Sequence, residues 1–433
     1  MDKKVVYALL AVAVAVAAGL SLLLLKQAAP PGSVQQPQPS CQPTSLVYVY
    51  LDEAQKNLGD TITSNFKVVL QQYGINIVNV PVCYLPASSL PEKLRVYPAL
   101  LLKGNISALE QLVVGEVGGY KVLNPGVSAY MASSAGASPV FTYQSEAIIV
   151  NSTAPFTGIR AGEDDMRRIL SQLSLSNVSR ITYVTPSSVS FTLTRLPAIV
   201  FKSDYNLSKG YAFIKPLGNG YYTFREDVSG RVLEYFGVQV YEIRTPPPSY
   251  LAREGVPVGS SSLTLYILED YHCPFCAKLM ASLGDTFTRL AKSGSLKVVL
   301  VDLIVHPEVA EMHALAKCVY NKTGDGYLYF NLSRKLYDKL NQGVSTTLED
   351  LSSIASTYTG KALIDECLKQ VNAGAEHVRS LSQKLISDGY TGTPTLIFWN
   401  PEKGKGLVVP GCLDINACMT QGQLDEVLSW LKS

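Results

Sequence analysis

The 433-residue chain is long enough for about two to four domains, each with a core of its own. Hydrophobic residues make up 47% of it and charged residues 17%, which excludes a disordered chain. A formal net charge of +2, with no basic run and no phosphate-cradling glycine loop, excludes a nucleic-acid surface.

The chain opens on Val5 to Leu25, an uninterrupted apolar run of 21 residues between Asp2-Lys3-Lys4 and Lys26. That length can span a bilayer. A cleavable signal peptide is the competing reading, with small residues at Gln27-Ala28-Ala29. The length of the run favours a retained single-pass anchor over residues 1–26, with Lys3 and Lys4 inside and the body outside the cytoplasm. Six Asn-x-Ser/Thr sequons, at Asn105, Asn151, Asn177, Asn206, Asn321 and Asn331, fit an exported surface. Residues 27–43 read as a Pro/Gln-rich spacer.

From Ser45 an apolar run predicts a strand, followed by a helix at about 61–73 and a second strand at 75–82 beside Cys83. Pro98 then opens another apolar run, Ala99 to Leu102. This is the order of elements in a thioredoxin fold, and it recurs. A strand at Glu146–Val150, a helix at Glu163–Leu173 and a strand at Arg180–Val184 precede Pro197 and the run Ala198 to Phe201. Asn219-Gly220 predicts a hairpin, and Val228–Phe236 a closing helix. We expect thioredoxin-like modules without active-site cysteines at 44–140 and 141–244. The competing reading is ordinary strand–helix–strand segments, and residues 104–140 fit neither module well. Residues 245–262, rich in Pro, Gly and Ser, read as a linker.

Beyond it, the apolar run Leu263 to Leu268 leads into Tyr271-His272-Cys273-Pro274-Phe275-Cys276, and Ala277 to Leu290 carries apolar residues at helical spacing. Two cysteines, two residues apart at a strand-to-helix junction, form a redox motif. The helix N-terminus favours the thiolate of Cys273, and Pro274 costs nothing in a first turn whose N–H has no helical partner. One helical turn returns Cys276 beneath Cys273. The alternatives are a structural disulfide or half a zinc site. Zinc needs two further ligands, and the chain offers only His272, His306, His313 and His377, with no second Cys-x-x-Cys. Neither a metal nor another cofactor is expected. A buried strand at Leu296–Val305, helices over roughly 308–388, a strand opened by Thr393-Pro394, another at Gly406–Val409 and a final helix from about Gln421 complete the chain.

Residues of about 263–433 resemble the DsbA-like thiol–disulfide oxidoreductases, a thioredoxin fold with a helical domain inserted between its second and third strands. The carriers are Asp270 to Cys276, Gly392-Thr393-Pro394-Thr395 and the helices between them. The resemblance does not extend to residues 44–250. It implies α/β architecture, Cys273 as nucleophile, Cys276 as resolving thiol, and a cis bond before Pro394 that frees the Thr393 backbone to pair with an extended substrate. It places Pro274 and Phe275 in the active-site stretch. Independently of the resemblance, His272 beside Cys273 would tune the thiolate, the alternative being an ordinary exposed residue. The sequence departs from the family at Ile267, where relatives often carry a buried carboxylate. Glu269, Asp270 or water would have to handle the proton at Cys276.

The other cysteines fall into the couples Cys41–Cys83, Cys318–Cys367 and Cys412–Cys418. In an exported chain these suggest disulfides. Cys318 and Cys367 have buried free thiols as their alternative, and Cys412 and Cys418 a second redox pair. The sequence as a whole predicts a membrane-anchored extracytoplasmic oxidoreductase that introduces disulfides into exported proteins, with a quinone-linked membrane oxidase as partner. Isomerase or reductase activity is the nearest alternative. A client-binding scaffold or chaperone with an accessory redox domain is the alternative of another class.

Overall fold

The structure, a computed structural model, describes residues 41–433 apart from Ser174 and Ser176. The anchor expected at Val5–Leu25 and most of the spacer lie outside the described residues. Among the described residues no helix is long and apolar enough to cross a membrane. The chain divides into two compact units. One comprises the described residues up to Ile149 with Ala161–Tyr183 and Ile199–Val228, and the other Val150–Arg160, Val184–Ala198 and Ser229–Ser433.

In the first unit, β1 (Ser45–Tyr50) is a run of buried Leu, Val and Tyr, and α1 (Gly59–Gln72) packs on it through Ile62, Phe66 and Leu70, spaced by four. Strand β2 (Val82–Pro86) pairs in parallel with β1, and β3 (Ala99–Lys103) pairs with it antiparallel after the cis bond Tyr97–Pro98. The second strand therefore starts where the sequence reading had it end. Residues 75–81 are irregular, because Asn76 Oδ1 captures the Val78 N–H and Val80 N–H turns back to Ile77 O. Residues 104–140 are not foreign to the module. They supply β4 (Val113–Val117), β5 (Tyr120–Leu123) and α2 (Pro125–Ser134), with Gly118 and Gly119 at φ 59° and 78° making the two-residue hairpin turn. The sheet order is β2-β1-β3-β5-β4.

The same order of elements follows in β6 (Ser145–Val150), α3 (Glu163–Gln172), β7 (Val178–Val184), β8 (Ala198–Ser203), β9 (Ile214–Gly218), β10 (Tyr221–Phe224) and α4 (Glu226–Tyr235). The bond Leu196–Pro197 ahead of β8 is also cis, and Asn219-Gly220 turns the β9–β10 hairpin at φ 52° and 77°. These strands form a sheet ordered β9-β10-β8-β6-β7.

The second unit carries a seven-stranded sheet, in which Arg195–Leu196 and β11 (Tyr241–Ile243) extend one edge. Residues 245–262 are structured rather than a bare linker. They hold α5 (Ser249–Glu254) and the edge strand β12 (Val256–Val258), where Pro257 is tolerated and Val256 and Val258 are buried. The central strand β13 (Thr264–Glu269), α6 (Pro274–Lys292) and β14 (Lys297–Asp302) come next, with β13 and β14 parallel. Five helices are inserted there: α7 (Ala310–Thr323), α8 (Gly326–Asn341), α9 (Leu348–Thr359), α10 (Lys361–Leu368) and α11 (Val371–Ser387). After the cis bond Thr393–Pro394, β15 (Thr395–Asn400) returns antiparallel to β13, followed by β16 (Lys405–Pro410) and α12 (Gln421–Lys432).

Disulfides join Cys41 to Cys83, Cys318 to Cys367 across α7 and α10, and Cys412 to Cys418, with Cα separations of 5.4, 5.7 and 4.3 Å. Helix α6 is held by Leu279, Met280, Leu283 and Phe287, all buried in one core. Phe287→Ala is expected to destabilise the second unit by about 3–5 kcal/mol, the cost of a large buried cavity. Guanidinium unfolding of the full chain measures it, and a loss below about 1 kcal/mol would show that this face of α6 does not anchor the helix.

Candidate active site

Strand β13 is buried along its whole length and delivers the chain to the N-terminus of α6. Cys273 is the N-cap, with extended backbone, and Pro274 takes the first helical position. The Cys276 N–H points at Cys273 Sγ from 3.4 Å, and Cys273 Sγ donates to the Thr393 carbonyl at 3.2 Å. These two cysteines are the free ones among the described residues. The Cys276 thiol bonding to the Cys273 sulfur is the largest influence bringing Cys273 down to about 6. Burial opposes it, while Thr393 and the N–H groups of Cys276 and Phe275 assist. Burial and the neighbouring Cys273 push Cys276 far the other way. The pair is chemically unequal: both cysteines are buried, but Cys273 is held as a thiolate in waiting and Cys276 as a thiol.

The Thr393–Pro394 bond is cis, and the Thr393 carbonyl is the group that meets Cys273. Thr393 Oγ1 is buried with no hydrogen-bond partner. The Pro394 carbonyl accepts from Gly411 N–H at 2.8 Å, just before the loop that Cys412–Cys418 closes. That loop lies on the first turns of α6, through Lys278 Nζ on the Ile415 carbonyl at 2.8 Å and Ser282 Oγ on the Ala417 carbonyl at 2.8 Å. It leaves Ile415 72% exposed and Phe275 39% exposed, with Lys278 over the Phe275 ring. His272 is gripped by the helical insertion, with Nδ1 3.1 Å from Glu308 Oε1 and Nε2 2.8 Å from the Thr346 carbonyl. Glu308 and Thr346 went unnoticed in the sequence because nothing local ties them to residue 272. Among the described residues no group of three or more His, Cys, Asp or Glu is arranged to hold a metal.

Of the three candidates for handling the proton at Cys276, the structure separates two. Asp270 is fully occupied as a turn-maker. Its Oδ1 accepts from His272 N and meets His306 Nδ1, and its Oδ2 accepts from Val305 N and His306 N. Glu269 is fully buried, with Tyr337 Oη 3.1 Å and Ser333 Oγ 3.4 Å from its carboxyl oxygens. Burial and the charge of Asp302, its register partner on β14, push Glu269 well above the usual carboxylate range. The charge of Glu269 is felt at Cys276. Ile267 is simply core.

Residues 258–401 match the family model described as Thioredoxin. Among solved structures, BcfH of Salmonella enterica Typhimurium is 15% identical over 42% of this chain and 76% of its own, with a TM-score of 0.35. Reduced DsbA of Mycobacterium tuberculosis is 16% identical over 34% of this chain and 82% of its own, with a TM-score of 0.29. Oxidised BdbD of Bacillus subtilis is 18% identical over 42% and 95%, with a TM-score of 0.32. No curated protein matches the chain. The domain matched by the thioredoxin model carries five helices between its second and third core strands.

The depressed Cys273 value fixes a pH dependence. Its stabilisation of the reduced form is fully present above the pKa of an unfolded thiol, about 8.5, and is lost as pH falls through about 6. The rate of Cys273 alkylation by iodoacetamide should rise with pH through a midpoint near 6 and then level off. In Cys276→Ala, which removes the largest cause of the shift, the midpoint should move up. An unmoved midpoint would assign the shift to the helix N-terminus instead.

Proposed function

We propose that the chain is a membrane-tethered, extracytoplasmic protein thiol–disulfide oxidoreductase that introduces disulfides into exported proteins. The observation that carries this reading is the inequality of the two sulfurs. A thiol that ionises near 6 makes the reduced pair comfortable as a thiolate, and a stabilised reduced form makes the disulfide a strong oxidant. At pH 7 the effect is worth roughly 1 kcal/mol in favour of the reduced state, since each pKa unit corresponds to about 1.4 kcal/mol.

The chemistry follows. A client thiolate attacks the Cys273 sulfur of the oxidised pair, and the Cys273–Cys276 bond breaks with its electron pair going to Cys276. That sulfur is buried and does not remain an anion, so it takes a proton, and we assign the donor as Glu269, a buried acid held neutral whose charge would weigh on Cys276. A second client thiolate attacks the client sulfur of the mixed disulfide and expels Cys273 as the thiolate it readily becomes. The client leaves with one disulfide, and the enzyme keeps two electrons on its reduced pair. A membrane partner that passes electrons to quinone re-oxidises it through a disulfide of its own. The exposed Phe275 and Ile415 and the extended backbone ahead of the cis proline suit an unfolded client segment better than a folded surface.

Three further disulfides support an oxidising compartment, and Val5–Leu25 supports the tether. The two five-stranded sheets of the first unit repeat the element order of the catalytic domain without a free cysteine pair. We read them as thioredoxin-like modules that hold clients or a second copy, and this keeps the scaffold reading as a component of the function.

The reduction potential of the full chain, measured against a glutathione series, is expected above roughly −200 mV, on the oxidase and isomerase side. A value near −270 mV would make the protein a reductase. Scrambled-substrate refolding without added oxidant separates the remaining pair: recovery of activity identifies an isomerase, and its absence an oxidase.

A further inference from the structure

The chain carries six Asn-x-Ser/Thr sequons, and the fold does not treat them alike. Asn331 lies inside helix α8 with Leu332 and Ser333 buried beside it, and its Nδ2 is 3.4 Å from the Tyr358 hydroxyl. Asn177 is half-buried, and its Nδ2 donates to the Tyr143 carbonyl. Asn151 is half-buried directly after β6. Asn321 belongs to the last turns of α7 and walls a cleft shared with α10 and α11. A sugar on Nδ2 needs an amide nitrogen without a structural duty and open space beyond it. Asn177 and Asn331 fail on the first count, Asn151 and Asn321 on the second.

The remaining two, Asn105-Ile106-Ser107 and Asn206-Leu207-Ser208, occupy one and the same place in two modules. The sheet orders β2-β1-β3-β5-β4 and β7-β6-β8-β10-β9 are the same order. In each sheet the strand after the cis proline, β3 or β8, leads through a joint into a short helical turn, Ser107–Leu112 or Leu207–Gly210, ahead of the hairpin. Each sequon spans that joint. Asn105 and Asn206 are exposed, while Ile106 is only 8% exposed and Leu207 is fully buried. Adjacent side chains of an extended segment face opposite ways, so burying the middle residue turns the asparagine to solvent.

Helix capping accounts for only one of the two. Asn206 Oδ1 accepts from the Ser208 N–H at 3.2 Å and from the Ser208 hydroxyl at 2.6 Å, which engages the oxygen and leaves the nitrogen out of the cap. At the other joint the cap residue is Ile106, with no side-chain cap bond. Asn105 thus shares the sequon with Asn206 without sharing its structural role. The corresponding joint of the catalytic domain, after β15, reads Asn400-Pro401-Glu402; it has no sequon, and Asn400 is buried.

We propose that Asn105 and Asn206 carry N-linked glycans, one on each five-stranded module, at the end of the sheet opposite its cis proline. The inference rests on the extracytoplasmic reading given above, because the transfer takes place on that side of the membrane. Nδ2 bonds to the anomeric carbon of an oligosaccharide carried on a membrane lipid phosphate. The bond from that carbon to the phosphate oxygen breaks with its electron pair going to the phosphate, and the amide proton passes to a carboxylate of the transferase. Strands β3 and β8 are five and six residues long, which puts each glycan roughly 15–20 Å from the cis proline. The cis-proline ends of both sheets stay clear of sugar.

The test is peptide mass spectrometry on the full chain purified from the membranes of the cells that make it, paired with protease treatment of intact spheroplasts. Glycopeptides are expected at Asn105 and Asn206, with Asn177 and Asn331 bare. Asn105→Gln and Asn206→Gln, expressed in the same cells, should each remove one step of gel mobility, and the double variant both. Bare Asn105 and Asn206 on a body that protease reaches overturn the glycans and leave the export reading standing. Bare asparagines on a body that protease does not reach overturn both. Sugar at one joint alone refutes the paired placement, and equal occupancy at Asn177 or Asn331 refutes selection by the fold.

Discussion

The active end depends on one constraint: β13 must end at the mouth of α6, so that two sulfurs one helical turn apart meet opposite surroundings. The first sits at the N-cap, where backbone N–H groups and the partner thiol favour its charge. The second is carried by the first turn into the core, where charge is expensive. Nothing in the two side chains distinguishes them; their positions along the helix do. The packing of Leu279, Met280, Leu283 and Phe287 that pins α6 is therefore part of the redox chemistry.

Much of this was legible in the sequence. Pro274 after Cys273 set the helix start, the apolar run before it set the strand, and Thr393-Pro394 marked the strand that returns beside the sulfur. Errors arose where composition stood in for geometry. Residues 245–262 look like a linker by their Pro and Gly, yet Pro257 occupies an edge strand, where a missing N–H costs nothing. Residues 104–140 look irregular, yet Gly118-Gly119 between two β-prone runs is itself a hairpin signal. Residues 75–81 look like a strand, yet Asn76 offers the backbone a turn instead.

The environment of the site was harder to read, because it is assembled from distant segments. Glu269 was visible as a carboxylate near the motif, but its burial follows from α8 covering it, and its partner Asp302 is fixed only by the parallel register of β13 and β14. His306 and His313 were visible only as possible metal ligands. In the fold each instead meets one carboxylate, Asp270 and Asp302, and tightens a turn or a core. One signal was available in the sequence. Tyr329, Ser333 and Tyr337 recur every fourth residue on a helix that is otherwise apolar on its inner face. A polar line on a buried face has to meet polar partners.

That line changes the role of the inserted helices. On a bare sheet-and-helix core the Glu269 carboxyl of β13 would be buried without its hydroxyl donors. Here α8 brings hydroxyls to Glu269 and α7 brings His313 to Asp302. The cost of burying two carboxyls on adjacent strands is kept down by giving them different charge states, one neutral and one ionised. Each is satisfied by donors from the insertion rather than from the core. The short segments flanking those helices hold His272 through Glu308 and Thr346. The inserted segment thus touches both ends of the chemistry: it grips the residue before Cys273 and satisfies the buried carboxyl on the strand that leads to the pair.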